Sequence, residues 1–443
     1  MNRILRFRHL LTRDGILHAR QLELDRDGRV SAINPASDGP YDGWLAMPGI
    51  PNAHSHVFQR ALAGYGEARG EGEDSFWSWR EAMYRLAASV TPEDLLVIAR
   101  QGFIEMLRTG FTSVAEFHYL HHLPDGSRTT AMADAVVQAA TDVGIRMRLL
   151  PVAYFHGGFN QPPQPGQRRF VHDDSEAFLE LLARLQLHQP GIAPHSLRAV
   201  APDELQSLVD GATRVLGNDY PIHIHIAEQQ KEVADCQGAF GRRPVELLNE
   251  KIEVDSRWNL VHATHVTEIE WRGLLEREAN VVLCPITEAY LGDGIFPAAN
   301  YMAAGGQLAI GSDSNCRIDA FEEMRWLEYG QRLRDQRRAR LADGTGLSPV
   351  LNGALSAGAT ALQMPIGDIQ VGHYADLVVF EESSPALLGH GIDSAVDALL
   401  VNGSPADPSA IYVGGERRVE GGEHGLASQV ATEFNAVVRR LLG

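Results

Sequence analysis

The stretch that decides the fold lies at residues 45–56 and has the sequence LAMPGIPNAHSH. Residues 45–53 form a short, almost continuously apolar run, which is typical of a strand buried on both faces in a parallel sheet. His54 and His56 follow at once. Because strand side chains alternate with a period of two, both imidazoles lie on one face, about 7 Å apart along the chain. The stretch therefore predicts a buried strand whose carboxyl end carries two histidines.

Seven further runs of this kind follow along the chain. Helical patterns lie between most of them, such as residues 92–108, where Thr91 suits the N-cap, Pro92 the first helical position and Gly110 the end. The eight strands are predicted at residues 45–53, 112–117, 146–155, 197–201, 221–227, 259–263, 280–284 and 307–311. Eight buried strands that alternate with helices predict an α/β protein with a (β/α)8, TIM-like barrel.

The two ends of the chain show a different pattern, with short alternating segments broken by Asp-Gly and Gly-Pro turns. Strands are expected at residues 15–22, 29–33, 375–380, 398–401 and 410–413, and an amphipathic helix at residues 427–442. We expect residues 1–46 and 367–443 to form one small β-sandwich domain, closed by that helix, around a barrel of residues 47–366. Two unrelated β appendages are the alternative.

The composition restricts the class of partner. Of 443 residues, 39 are Lys or Arg and 57 are Asp or Glu, which gives a net charge of −18. An acidic chain without a long basic run is not expected to bind nucleic acid or a membrane surface. The three cysteines, Cys236, Cys284 and Cys316, are too few and scattered for a disulfide framework. We expect a cytoplasmic protein with a small-molecule ligand, and a homodimer, the commonest soluble oligomer.

Barrel enzymes carry their chemistry at the carboxyl ends of the strands, and four of these ends offer metal ligands. The candidates are His54 and His56 (first strand), His223 and His225 (fifth), His262 (sixth) and Asp313 (eighth). Three imidazoles and one carboxylate suit Zn²⁺, with Fe²⁺ as the alternative. Such a site with an open position lowers the pKa of a bound water toward about 7.

Two acidic residues near these strand ends allow two interpretations each. Glu228, three residues after His225, is placed to move protons without binding metal, or it is a carboxylate at a helix N-terminus. Asp313 is a metal ligand, or it is a helix N-cap.

These residues resemble the amidohydrolase superfamily. The resemblance rests on HSH at 54–56, HIAE at 225–228, VHATH at 261–265 and GSDS at 311–314, and on GHYADLVV at 372–379, which is similar to the returning β segment of such enzymes. The resemblance implies one metal ion held by His54, His56, His225 and Asp313. It also implies that Glu228, His262 and Asp313 are the catalytic residues.

Lysine usage restricts the kind of metal centre. Many members of the superfamily hold two metals through a carbamylated lysine at the end of the fourth strand. This chain has only Lys231 and Lys251, both after the fifth predicted strand, so a lysine-bridged dinuclear site is excluded. His223 shares a face with His225 but is expected to pack inside the barrel.

More specific motifs narrow the resemblance to members that hydrolyse the formimino group of N-formimino-L-glutamate in histidine degradation. They are PNAHSHVFQRA at 51–61, DSFWSWR at 74–80, EFHY at 116–119, APHSLRAV at 193–200 and LGDG at 291–294. The resemblance implies N-formyl-L-glutamate and ammonia as products. The chain departs from the expected motif at Ile286, Tyr290 and Asn315, where Thr, Asn and His are expected.

A substrate with two carboxylates needs local cations and donors in an acidic protein. Arg80 and Arg198 can supply bidentate guanidinium groups, and Gln59, Tyr119 and His195 can add directional hydrogen bonds. We expect these five residues to bind the dicarboxylate. The alternatives are packing roles for the aromatic and polar residues, ring stacking for Arg80 and charge balance for Arg198.

Three other functions stay open. They are deamination of a nucleobase-like ring, ring hydrolysis of the imidazolonepropionase kind, and a non-enzymatic scaffold. A neutral ring has little use for two arginines, and the complete ligand set speaks against a scaffold. His118, His121 and His122 suggest a second metal cluster, but a solvated loop face is the preferred interpretation.

Overall fold

The computed structural model describes residues 3–65, 67 and 76–443, in which the apolar runs of the sequence form strands. The strands are β1 (Arg3–Thr12), β2 (Gly15–Leu24), β3 (Val30–Pro35), β4 (Gly43–Pro48), β5 (Ile50–Ser55), β6 (Phe111–His118), β7 (Arg146–Ala153), β8 (Ala193–Pro194), β9 (Ile222–Ile226), β10 (Trp258–His262), β11 (Asn280–Leu283), β12 (Leu308–Ile310), β13 (Leu377–Phe380), β14 (Pro408–Val413), β15 (Glu416–Glu420) and β16 (Glu423–His424). The helices are α1 (Phe76–Ser89), α2 (Pro92–Arg108), α3 (Ala131–Val143), α4 (Ser175–Leu185), α5 (Pro202–Leu216), α6 (Gln230–Phe240), α7 (Pro244–Lys251), α8 (Glu268–Glu276), α9 (Pro285–Leu291), α10 (Ala298–Ala303), α11 (Ala320–Asp335), α12 (Ser348–Leu362), α13 (Ala395–Asn402) and α14 (Ala427–Leu442).

Strands β5 to β12 form the barrel. β5–β8 make one parallel sheet and β9–β12 a second one. Bridges between Ile192 and Ile222 and between Ser55 and Asp313 join the two sheets on both sides. The strands are buried over most of their length, as the continuous apolar runs indicated. The predicted α/β barrel is therefore confirmed.

The first predicted strand, at residues 45–53, is in fact two strands in two sheets. The strand is interrupted at Gly49, so that β4 pairs with β1 near the N-terminus, whereas β5 pairs with β6 in the barrel. Gly49 passes very close to β6, because a Cβ atom at this position would lie 2.1 Å from Oγ1 of Thr112. A side chain would block this crossing. The sequence pattern could not show the break, since both halves are equally apolar.

The fourth predicted strand, at residues 197–201, is wrong. The strand at this place is β8, of only two residues, which pairs Ala193 and Pro194 with the end of β7. The apolar run after it forms turns that are buried ahead of α5. The apolar residues of this run therefore reflect burial of a loop and not of a strand. As a consequence, His195 and Arg198 both follow the carboxyl end of β8.

Strands from both chain ends make one eight-stranded sheet, in the order β16-β15-β14-β13-β4-β1-β2-β3. β4 lies at its centre, parallel to β1 and antiparallel to β13. The sheet has its own apolar cluster, which includes Phe7, Leu22, Val379 and Tyr412. The expected β domain from both termini is thus present, while the domain boundaries at residues 46 and 366 stay predictions.

Two further differences from the expected elements lie in this region. The strand predicted at 398–401 is wrong: the segment belongs to helix α13. Its buried residues Ala395, Ala398 and Leu399 have the three- and four-residue spacing of a helix face. β1 was missed, although its buried residues Leu5 and Phe7 alternate with Arg6 and Arg8, which is the pattern of a strand buried on one face.

A bidentate ion pair fixes the terminal sheet to the barrel. Nε and Nη2 of Arg146 in β7 each lie 2.9 Å from one carboxylate oxygen of Asp376, directly before β13. The guanidinium also stacks over the ring of Tyr374, 3.5 Å from its centroid. The closing helix is confirmed as α14, which packs against α2. Among the helices that the structure describes, none combines the length and apolar character that a membrane span requires.

Candidate active site

Four candidate metal ligands meet at the carboxyl ends of the barrel strands. His54 lies in β5, His56 directly after it, His225 in β9, and Asp313 shortly after β12. The Nε2 atoms of the three histidines form a triangle with sides of 3.2, 3.3 and 3.0 Å. Oδ1 of Asp313 is 3.5 Å from Nε2 of His54 and 3.3 Å from Nε2 of His56. The fold thus gathers four buried ligand atoms within 4.8 Å of one another.

The triangle of nitrogen atoms fits a divalent cation. Nδ1–H of His56 donates to the carbonyl of Phe117 at 2.9 Å, and Nδ1–H of His225 donates to the carbonyl of His195 at 3.1 Å. Both rings therefore turn the lone pair of Nε2 into the triangle, as metal-bound imidazoles do. Tetrahedral Zn–N bonds of about 2.0–2.1 Å place two nitrogen ligands about 3.3 Å apart, which matches the observed sides. The residues present fit one zinc ion or a similar cation with N/O ligands.

Close backbone contact between β5 and the end of β12 places Asp313 beside the histidines. The N–H of Asp313 donates to the carbonyl of His54 at 3.0 Å, and the N–H of His56 donates to the carbonyl of Asp313 at 2.9 Å. Gly311 permits this approach, since a Cβ atom there would lie 2.7 Å from Cβ of His54. Asp313 has a left-handed φ of 46°, a strained conformation of the kind found at functional sites. Asn315 supports it by donating from Nδ2 to its carbonyl at 2.9 Å.

The ligand side chains are held in their metal-binding protonation states. Burial lowers the pKa of His54 to about 3, and burial also lowers the pKa values of His56 and His225. For Asp313, burial raises the pKa, but the hydrogen bond with His54 and the neighbouring imidazoles hold it well below its usual range. Neutral imidazoles and an ionised carboxylate are the forms that coordinate a cation.

Glu228 and His262 lie next to the ligand cluster. Nε2 of His262 is 3.9 Å from Oε1 of Glu228 and 3.8 Å from Oδ2 of Asp313. Burial raises the pKa of Glu228, and the nearby His262 and Arg198 oppose the rise. For His262, burial lowers the pKa, but the carboxylates of Glu228 and Glu288 beside it raise the pKa overall. A carboxyl group and an imidazole able to exchange protons thus stand beside the ligands.

A pocket leads to this cluster, and all five predicted substrate-binding residues line it. They are Gln59, Arg80, Tyr119, His195 and Arg198. Nε2 of Gln59 donates to the hydroxyl of Tyr119 at 2.6 Å, and the Arg198 guanidinium is 3.9 Å from Oε2 of Glu228. Burial lowers the pKa of His195, and the positive charges of Arg198 and Arg80 lower it further. Two guanidinium groups therefore lie in the pocket that contains the metal ligands.

The aromatic and apolar walls of this pocket were not predicted from the sequence. They are formed by Trp79, Met83, Tyr84, Tyr154, Phe170 and Leu291. Gln167 is fully buried behind them and donates from Nε2 to the hydroxyls of Tyr84 at 3.2 Å and Tyr154 at 2.8 Å. Tyr154 directly follows β7, so its position at a strand end was the signal that could have identified it. Residues 74 and 75 of the motif at 74–80 lie outside the described part of the chain.

The three residues that depart from the expected motif are not among the described residues that line the pocket. Ile286 donates its backbone N–H to Oε2 of Glu323 at 2.9 Å. The hydroxyl of Tyr290 forms a hydrogen bond with Glu67. Asn315 holds the backbone of Asp313, as described above. The departures therefore change the surroundings of the site more than its wall.

The remaining histidines behave differently from one another. His223 donates from Nε2 to the carbonyl of Ala361 at 2.9 Å and packs inside the barrel, as expected. The solvated loop face predicted at His118, His121 and His122 is wrong, because all three are buried. His121 and His122 donate from Nε2 to backbone carbonyls at 2.8 and 2.7 Å, which replace water as partners. Within the described ranges they do not form a group with metal-ligand spacing.

A (β/α)8 barrel that gathers three histidines and an aspartate at its rim, beside a carboxyl–imidazole pair, is the arrangement of the barrel hydrolases. The sequence profile of the amidohydrolase family matches residues 45–417, and the chain belongs to this family. The resemblance expected from the motifs is thereby confirmed.

Similar proteins agree with this assignment. The chain is 45% identical over 438 residues to the formimidoylglutamate deiminase of Pseudomonas aeruginosa, which covers 95% of this chain and 96% of that protein. The crystal structure of an amidohydrolase from Brucella melitensis has a TM-score of 0.92 and 39% identity, and covers 99% of this chain and 100% of that one. An adenosine deaminase from Xanthomonas campestris, solved with bound zinc, shares the fold with a TM-score of 0.80, 23% identity, and coverage of 99% and 98%.

Proposed function

We propose that this chain hydrolyses N-formimino-L-glutamate to N-formyl-L-glutamate and ammonia. The observation that carries the proposal is that Arg80 and Arg198 line the same pocket as the candidate metal ligands. A chain with a net charge of −18 repels a dicarboxylate on average. Two guanidinium groups beside a cation site serve to bind an anionic substrate there. The similarity to the Pseudomonas aeruginosa formimidoylglutamate deiminase supports the same substrate.

We propose zinc as the resident cation, held by His54, His56, His225 and Asp313, with Fe²⁺ as the alternative. When bound, the cation supplies Lewis acidity and a water molecule of lowered pKa. The ligand chemistry supports zinc, and so does the zinc in the adenosine deaminase of the same fold.

The five pocket residues bind and orient the substrate in this proposal. Arg198 and Arg80 hold carboxylates through bidentate hydrogen bonds, a geometry that the planar guanidinium group suits. Gln59 and Tyr119, already hydrogen bonded to each other, and the neutral His195 give directional contacts. The formimino carbon then lies at the inner end of the pocket, near Glu228.

The protons of the hydrolysis pass through Glu228 and its neighbours. Water adds to the formimino carbon while its proton moves to Glu228, which delivers a proton to the nitrogen that leaves as ammonia. The overall change is R–NH–CH=NH + H₂O → R–NH–CHO + NH₃. His262 stabilises the charge on the oxygen of the tetrahedral adduct. Asp313, 3.8 Å from His262, takes the second proton from the hydroxyl of the adduct and passes it to the same nitrogen as the C–N bond breaks.

Replacing Arg198 by Met tests the binding role of the guanidinium group. We expect kcat/KM for N-formimino-L-glutamate to fall by about 10- to 100-fold, because a hydrogen bond to a charged group is worth about 1.5–3 kcal/mol. The loss falls mainly on KM, and the metal content stays at the wild-type value. Steady-state ammonia release gives both constants.

The matched variant is Arg198→Lys, which keeps the charge but loses the bidentate geometry. We expect its KM to lie between those of the wild type and of Arg198→Met. An unchanged KM in Arg198→Met would show that Arg198 does not bind the substrate. The same assay with guanine and with imidazolonepropionate covers the alternative functions. Turnover of either one, without turnover of N-formimino-L-glutamate, would contradict the proposed substrate.

A cytoplasmic location and a homodimer complete the proposal. Both come from the composition and from the general frequency of dimers. Fractionation of cells and light scattering of the purified protein test them.

A further inference from the structure

The Nδ1 side of the His262 imidazole contacts a carboxyl group, that of Glu288, which has no role in the proposed reaction. Oε1 of Glu288 lies 3.2 Å from Nδ1 of His262, and the same oxygen accepts the backbone N–H of Cys284 at 2.9 Å. Glu288 lies in the first turn of α9, just after β11, and is buried. Because Oε1 already accepts the backbone N–H of Cys284, it acts as an acceptor here, and the proton of the contact with His262 sits on Nδ1.

This contact decides which ring nitrogen is offered to the site. With Nδ1–H directed at Glu288, Nε2 of His262 faces Glu228 at 3.9 Å and Asp313 at 3.8 Å. His262 has a φ of 67°, in the left-handed region that residues other than glycine seldom adopt. A residue on such a backbone keeps its orientation only when surrounding contacts fix it. At Nδ1, the hydrogen bond to Glu288 is the contact that fixes the ring.

The surroundings of Glu288 strengthen this hydrogen bond. Glu288 lines a second cavity, separate from the substrate pocket, together with apolar residues such as Leu283, Pro285 and Phe296. Hydrogen bonds in an apolar environment are electrostatically stronger than those in water. The carboxylate therefore acts on the imidazole from the side opposite the substrate.

We infer that Glu288 is a positioning residue that fixes the ring orientation of His262 and keeps a proton on its Nδ1. The inference rests on the proposed function, in which Nε2 of His262 faces the oxygen of the tetrahedral adduct. Without Glu288, the ring can rotate, and fewer molecules then direct Nε2 at the oxygen of the adduct.

The kinetic test uses Glu288→Gln in the zinc-loaded enzyme. Glutamine keeps the size and still accepts the N–H of Cys284, but it lacks the negative charge. We expect kcat to fall by about 10- to 100-fold, the range for loss of an outer partner of a site residue. KM and zinc content stay close to the wild type. In a His262→Asn background the same substitution should have no further effect, since Glu288 acts through the ring.

The chain offers a matched control in Glu323→Gln. Glu323 is fully buried, and its Oε2 accepts the backbone N–H of Ile286, in the same first turn of α9. The control therefore disturbs the start of α9 while the pair of Glu288 and His262 stays intact. We expect kcat close to the wild type. The inference would be overturned if kcat fell equally in Glu288→Gln and Glu323→Gln, or if Glu288→Gln lowered kcat further in the His262→Asn background. Either result would mean that Glu288 only supports the start of α9.

A second readout needs no substrate and so separates the inference from the proposed function. In zinc-loaded protein with ¹⁵N-labelled histidine, two-bond ¹H–¹⁵N spectra report which ring nitrogens of His262 carry a proton, assigned by comparison with His262→Asn. We expect a proton on Nδ1 in the wild type and in Glu323→Gln, and loss of this signature in Glu288→Ala. An unchanged signature in Glu288→Ala would overturn the inference even if the enzyme turns over N-formimino-L-glutamate. A lost signature in a protein inactive toward that substrate would keep the inference and reject the function.

Discussion

Replacing Glu228 by Gln is expected to lower kcat for N-formimino-L-glutamate by about 10²–10⁴-fold, the contribution of a general acid–base group. The amide has the same size but cannot take a proton from water or pass one to the departing nitrogen. Metal content should stay at the wild-type value, because Glu228 lies outside the group of His54, His56, His225 and Asp313. Ammonia release and elemental analysis on the same sample measure both quantities.

Glu116 provides the control for this substitution. It is a buried carboxyl group in β6, its Oε1 accepts the N–H of Val57 at 2.7 Å, and burial raises its pKa to about 8. Glu116→Gln therefore replaces a largely neutral acid by a neutral amide, and we expect kcat near the wild type. Full activity in Glu228→Gln would reject Glu228 as the proton carrier. Loss of the metal in that variant would mean that Glu228 supports the ligands instead.

Replacing His225 by Ala is expected to remove the bound metal and, with it, nearly all activity. A metal ion supplies several kcal/mol of transition-state stabilisation, and at 1.36 kcal/mol per factor of ten, about 5 kcal/mol corresponds to about 10⁴-fold in rate. Elemental analysis and ammonia release check the two effects. Added zinc should raise the Tm of the wild type, since a ligand that binds the native state stabilises it, but not that of His225→Ala.

His223 gives a sharp comparison, because it is a buried histidine two residues earlier in the same strand. His223→Ala removes the hydrogen bond to the carbonyl of Ala361, so it should lower the free energy of unfolding by about 1–3 kcal/mol. Metal content and the response of Tm to zinc should be unchanged. A metal-free His223→Ala, or a His225→Ala that keeps one transition metal per chain, would be incompatible with the ligand assignment.

The two pairs of variants separate two contributions to the reaction. Glu228→Gln leaves the cation and removes a proton carrier, whereas His225→Ala removes the cation and leaves Glu228 in place. If the site is as proposed, the two variants lose activity for different reasons, and metal content distinguishes them.

Much of the site could be predicted because strand ends of a barrel meet at one rim. His54 and His56 follow a run with a buried-strand pattern, and Asp313 follows another, so topology alone brought them together. Gln59, Tyr119 and Arg198 were found through motifs, and the fold places them in one pocket.

The errors have a common physical origin, which is that burial alone does not specify structure. The loop at 197–201 and helix α13 are as apolar as strands, and β8 is too short for any pattern to show it. His118, His121 and His122 look like loop residues but are buried, and His121 and His122 donate to backbone carbonyls. The residue types indicate which side chains are buried, but they do not indicate which protein group replaces water as the hydrogen-bond partner of a buried polar atom.

The sequence by itself determined the chemistry that is available: imidazoles and a carboxylate at strand ends, a carboxyl group after His225, two arginines among aromatic motifs, and no lysine for a dinuclear centre. Only the tertiary structure decided which of these groups face each other. It directed His225 to the cluster and His223 into the barrel, and it placed Glu288 behind His262. The reason is that residue type sets what a side chain can bind, whereas the register of strands and the packing between them set where it points.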